Sequence, residues 1–121
     1  MTEPTIQITQ DLIDAYAAIS GDFNTVHVDA AYAATTPFGG TIAHGCIPME
    51  PIFRLAAERT GRAVMAEGSG MTLRYLRPAR PGDVIGIEVT QGRGETLVFR
   101  CVNQRGEAVI EGEMRLTGEA S

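Results

Sequence analysis

This chain has little cysteine, no basic run and no long apolar stretch, and each lack removes a class of function. Its two cysteines, Cys46 and Cys101, stand far apart and make neither a disulfide framework nor a metal-ligand spacing. Free thiols point to a reducing compartment, so a cytoplasmic location is expected. No apolar run approaches the roughly 20 residues that span a bilayer. The start, MTEPTIQITQ, lacks the basic and apolar regions of a secretory signal, so none is expected. Fifteen acidic residues against ten basic ones give a net charge of −5. With no basic run, nucleic acid and anionic membrane are not expected partners. An anionic small substrate would need a local positive patch. There is no Ser-His-Asp pattern, phosphate loop, zinc spacing, internal repeat or low-complexity tract.

What is present suits one globular domain over residues 1–121, with 44% apolar residues and a modest core. TIQI at 5–8 alternates as a short strand. Thr9 can cap a helix through DLIDAYAAI, with Leu12, Ile13, Tyr16 and Ala17 on one face and Ser20 and Gly21 ending it. A loop is expected from Asp22 to Val28, then a helical turn AAYAA capped by Asp29, then a Pro/Gly loop TTPFGG. The longest helix is expected from Gly45 to about Thr60, closed by Gly61. Its first turns are nearly all apolar, so burial on most sides is expected. Pro48 suits a first turn; Pro51 implies a later start or a kink. Glu50, Arg54 and Glu58 are spaced as an exposed ion-pair stripe. AVMAEGSGMTLRYLRP reads as one long strand with a bulge near its glycines. ARPGD is a turn, and VIGIEVTQ, TLVFRCVN and AVIEGEMRL are strands joined by GRGE and QRGE. One strand, helices and four antiparallel strands in series imply an α+β fold, a curved sheet wrapped around the apolar helix.

Chemistry concentrates in YAAISGDFNTVHVDAAYAATTPFGGTIAHG. Asp22 and His27 lie five residues apart among turn-formers. A carboxylate and a neutral imidazole meeting at one water can add it across a double bond or remove it. Equally, Asp22 can cap a turn and His27 can satisfy a backbone carbonyl. Asn24 can orient the imidazole or serve the turn. His44 can be a second base, or can cap the helix or pack under the loop. Gly45, without a side chain, lets its N–H approach a carbonyl oxygen gaining charge, or merely allows tight packing. Arg74, Arg77 and Arg80 can meet phosphates or form a solvated sheet edge. Cys46 reads as a small buried residue.

YAAISGDFNTVHVDAAYA resembles the hydratase 2 motif of the MaoC-like family, the (R)-specific 2-enoyl-CoA hydratases. FGGTIAHG and PARPGDVI resemble later segments of that family, so the resemblance covers most of the chain. It implies a hot-dog fold, an antiparallel sheet around a long central helix. It also implies a homodimer or higher even oligomer, with an acyl-CoA tunnel near the interface. The implied catalytic groups are Asp22 and His27, holding and activating one water, and the backbone N–H of Gly45 as oxyanion donor. Asn24, Phe38, His44, Phe53 and Arg77 are then the expected substrate-binding residues. No metal or redox cofactor is implied; CoA or phosphopantetheine arrives as part of the substrate. A thioesterase, a carrier-protein-dependent dehydratase and a non-catalytic acyl-binding subunit are the alternatives. The chain departs from the pattern at Thr25, where the family usually has proline. At Pro48, Pro51 and Phe53 some relatives have smaller or polar residues, and the bulk here can shorten or redirect the acyl pocket; a short acyl chain is the expectation.

Overall fold

The computed structural model describes residues 3–62 and 66–116. The elements run β1 (Thr5–Gln7), α1 (Gln10–Ser20), α2 (Thr25–Val28), α3 (Ala30–Ala33), α4 (Glu50–Thr60), β2 (Gly70–Tyr75), β3 (Val84–Gln91), β4 (Thr96–Val102) and β5 (Ala108–Arg115). All strand pairs are antiparallel in one five-stranded sheet of order β1-β3-β4-β5-β2. The expected simple series is therefore corrected. β3, β4 and β5 form a meander, while β2 lies beyond β5 at the far edge.

Alternation along the strands sets two faces. Ile85, Ile87, Leu97, Phe99, Cys101 and Met114 turn inward and are buried. They share one core with Ile52, Leu55 and Ala56 of α4, and with Ile8 and Ile13. Across the outer face, Arg74, Glu111, Arg100 and Glu88 stand in register on four neighbouring strands. Arg74 pairs with Glu111 at 2.5 Å, and Arg100 lies 3.8 Å from Glu88. Alternating charge of this kind keeps the outer face wet.

Helix α1 starts and stops as the sequence requires. The Thr9 hydroxyl accepts from the Leu12 N–H at 3.0 Å, and Gly21, at φ 80°, closes it through a bond to the Ala17 carbonyl. Helix α4 begins at Glu50 rather than Gly45, because Pro51 is accommodated only in a first turn. Single turns carry the chain from His44 to Met49. Nor is α4 buried on most sides: Phe53, Arg54 and Glu58 face solvent, and Arg54 pairs with Glu50. The long strand expected from Ala63 is shorter. Its part at 63–65 lies outside the described residues, Ala66 to Ser69 forms a turn, and β2 starts at Gly70. Close packing of β2 on β5 depends on Gly112, where a Cβ would lie 2.2 Å from the Thr72 carbonyl oxygen.

Candidate active site

The expected loop between Asp22 and Val28 contains one helical turn, α2. Asn24 caps it, its Oδ1 accepting from the Val26 N–H at 3.2 Å. Asp22 in turn accepts the Asn24 N–H at 3.2 Å. Two short polar side chains thus bend the backbone in succession. Asn24 is spent on this turn and does not orient the imidazole through its side chain. Thr25 occupies the first helical position, where proline is also well suited.

His27 is fixed from two sides. Its Nδ1 lies 2.8 Å from the Ile42 carbonyl oxygen, an acceptor only, so Nδ1 carries the proton and Nε2 keeps a free lone pair. Its own backbone carbonyl accepts from Gln10 Nε2 at 2.9 Å, and Gln10 Oε1 accepts from the buried Thr41 hydroxyl at 2.7 Å. One amide on α1 therefore ties α2 to the segment entering the site.

His44 is buried at 3% exposure. Its Nε2 donates to the Asp22 carbonyl oxygen at 2.8 Å. Its ring stacks on His27 at 4.0 Å between centroids, and Tyr16 packs against it at 4.7 Å. Its Nδ1 is buried with no hydrogen-bond partner among the described residues. A carboxylate oxygen of Asp22 and one nitrogen from each histidine all lie within 4.8 Å of one another. Among the described residues this is the one grouping compact enough to surround a cation. Two of its four ring nitrogens are already engaged with backbone carbonyls.

Beside His27 lies an open hollow of about 390 Å³, lined by His27, Phe38, Ile42, Gly45, Tyr75 and Arg77 among others. Its lining is mostly apolar, which suits an acyl chain. Gly45 is exposed here, and its N–H donates to none of the described residues. Its carbonyl accepts from the Tyr75 hydroxyl at 2.8 Å. The phenol of Tyr75 is pushed above its ordinary range, first by burial. Tyr16 is also raised, chiefly by its hydrogen bond with Cys46 and then by desolvation. Cys46, expected to be buried, is exposed. A second hollow, of about 430 Å³, lies on the sheet around Gly112 and contains none of these groups.

The structure brings together Asp22, His27 and His44, and sets His27, Gly45, Phe38 and Arg77 around one hollow. Phe53 is not among its lining residues and stands exposed on α4. The three arginines diverge. Arg74 pairs with Glu111, Arg80 donates to the Phe38 carbonyl at 2.5 Å, and only Arg77 reaches the hollow. Gln10, Ile42 and Tyr75 escaped sequence reasoning. Tyr75 and Ile42 look like ordinary strand or loop residues, and Gln10 like an exposed first-turn residue.

Residues 1–113 match the MaoC like domain family. The chain belongs to the MaoC-like domain family. It is 34% identical over 110 residues to the (R)-specific enoyl-CoA hydratase of Aeromonas caviae, covering 84% of this chain and 79% of that one. It is 29% identical over 116 residues to the 3-hydroxybutyryl-CoA dehydratase of Methylorubrum extorquens, covering 88% and 71%. Among solved structures, an (R)-hydratase from A. caviae involved in PHA biosynthesis superposes with a TM-score of 0.74 at 31% identity, covering 93% of this chain and 91% of that one. The α+β hot-dog fold expected from the motif is thereby established for this MaoC-like chain. No helix among the described residues is long and apolar enough to cross a membrane.

Proposed function

We propose that this MaoC-like protein is a hydro-lyase that adds water to a trans-2-enoyl thioester, giving an (R)-3-hydroxyacyl thioester, or runs the reverse dehydration. The observation that carries the reading is the convergence of the Asp22 carboxylate and His27 beside a hollow that Gly45 also lines. One water sits between the Asp22 carboxylate and Nε2 of His27. As its oxygen bonds to C3, the pair takes a proton from it and delivers a proton to C2. The Gly45 N–H, with no acceptor among the described residues, holds the thioester oxygen as charge moves onto it. The chemistry needs no metal or redox cofactor in this reading.

Phe38 and Ile42 offer the acyl group an apolar wall, and Arg77, which lines the same hollow, offers a cation to the anionic carrier, CoA or phosphopantetheine. Arg77 already gives one N–H to the Ala108 carbonyl at 2.7 Å and lies 4.0 Å from Glu107, so part of its fork remains for a phosphate. The reading extends to a homodimer, since β2 is a sheet edge that a second copy can extend.

Hydration of a panel of trans-2-enoyl-CoA esters of increasing chain length, with chiral analysis of the product, tests the proposal. An (R)-3-hydroxy product, lost in D22N and in H27A, supports it. An (S) product, or release of free thiol in place of hydration, overturns it.

A further inference from the structure

Gly45 does not open a helix, so the need for glycine there has another cause. An added Cβ would lie 3.0 Å from Tyr75 Oη and 3.2 Å from its Cζ, both tighter than ordinary packing. The phenol occupies the space that a side chain at 45 would take. From there its hydroxyl donates to the Gly45 carbonyl at 2.8 Å. Tyr75 is the last residue of β2, paired through the backbone with Ile110 of β5. Its ring therefore reaches from a fixed sheet edge to a turn with few anchors of its own. Within that turn, the Ile47 N–H bonds the His44 carbonyl at 3.0 Å, and the Glu50 N–H bonds that of Ile47 at 3.1 Å. The same ring walls the hollow beside His27.

We propose that Tyr75 is a positioning residue for the reaction. Its hydroxyl tethers the Gly45–Cys46 peptide to the sheet, and so fixes the turn that presents the Gly45 N–H to the substrate oxygen. It rests on the hydration reading, with Gly45 as the donor. Its effect lies on the transition state more than on ground-state binding, because charge on that oxygen develops during the reaction.

Y75F keeps the ring and removes the tether. The expected results are a five- to tenfold fall in kcat, roughly the effect of one lost hydrogen bond, with KM nearly unchanged and the same melting temperature. Exchange of the Ile47 amide, which bonds the His44 carbonyl within the turn, should rise while that of β3–β5 stays as in wild type. In a double-mutant cycle, G45A should cost less in the Y75F background than in wild type, since the closest contact is gone. Unchanged kcat and unchanged exchange in Y75F overturn the tether. So does strict additivity in the cycle, or a fall in melting temperature with kcat preserved. If wild type turns over no enoyl thioester, the hydration reading fails by itself, and exchange of the Ile47 amide still decides whether Tyr75 holds the turn.

Discussion

His44 lies face to face with His27, ring centroids 4.0 Å apart and planes 28° from parallel, while its Nε2–H holds the carbonyl of Asp22. One buried ring thus touches both members of the acid–base pair without standing in the hollow. H44F should keep the stack and lose the donor. Hydration is expected to drop at least about tenfold, with near-native far-UV circular dichroism and a melting temperature lower by a few degrees, since the Asp22 carbonyl loses its partner. Steady-state kinetics alongside thermal melts check this.

Asp22 is exposed, and among the described residues its side chain accepts only the Asn24 N–H. An amide oxygen can do the same. D22N is therefore expected to fold with unchanged melting temperature while losing about 10²–10⁴ in rate. A parallel loss of folding would mean that the carboxylate is structural.

Thr25 stands at the first position of α2, after an Asn24 with ψ 132°, the extended backbone that a following proline demands. T25P should be tolerated and should add about 0.4–1 kcal/mol of stability by restricting the unfolded chain. Urea denaturation measures it, with enoyl-thioester hydration as the control for the site.

Burial alone pushes the Cys101 thiol from an ordinary 9.0 to about 12. The folded state therefore favours the neutral thiol. The stability this contributes is whole below pH 9 and is lost as pH rises from 9 towards 12. C101A should unfold with a shallower dependence on pH across that window, read by denaturant midpoints. At pH 8 in the native state, a thiol reagent should titrate the exposed Cys46 and leave Cys101 untouched until denaturant is added.

At Gly112 a methyl group would meet the Thr72 carbonyl at 2.2 Å and the Leu73 Cα at 2.8 Å, both backbone atoms that cannot swing aside. G112A should cost at least about 3 kcal/mol or prevent folding altogether. Expression yield and chemical denaturation decide it.

Much of this molecule was legible from its residues, and the exceptions have causes. Thr9, Gly21 and Asp29 are caps whose local hydrogen bonds need no distant partner, so α1 and α3 stand where expected. Alternation marks β3, β4 and β5 because one face of each is buried. By contrast, α2 is four residues long and has no buried residue, hence no apolar period to announce it. An apolar run looks alike in a turn and in a helix, so it does not mark the start of α4; Pro51, suited to a first turn, does. Within the site, Asp22 and His27 were marked by their spacing. The carbonyl of Ile42 and the ring of Tyr75 reach the site through contacts between distant segments, which no local pattern records.

The Gln10 side chain gives its N–H groups to the His27 carbonyl and to Asp14 Oδ1, and takes one from Thr41. A neutral amide can both give and take at that point, and a carboxylate cannot. Exchange of its nitrogen for oxygen, as in glutamate, keeps the shape yet sets three acceptors against one another. The backbone that carries the imidazole thus leans on a group that does not line the hollow, and one isosteric atom there is expected to loosen it.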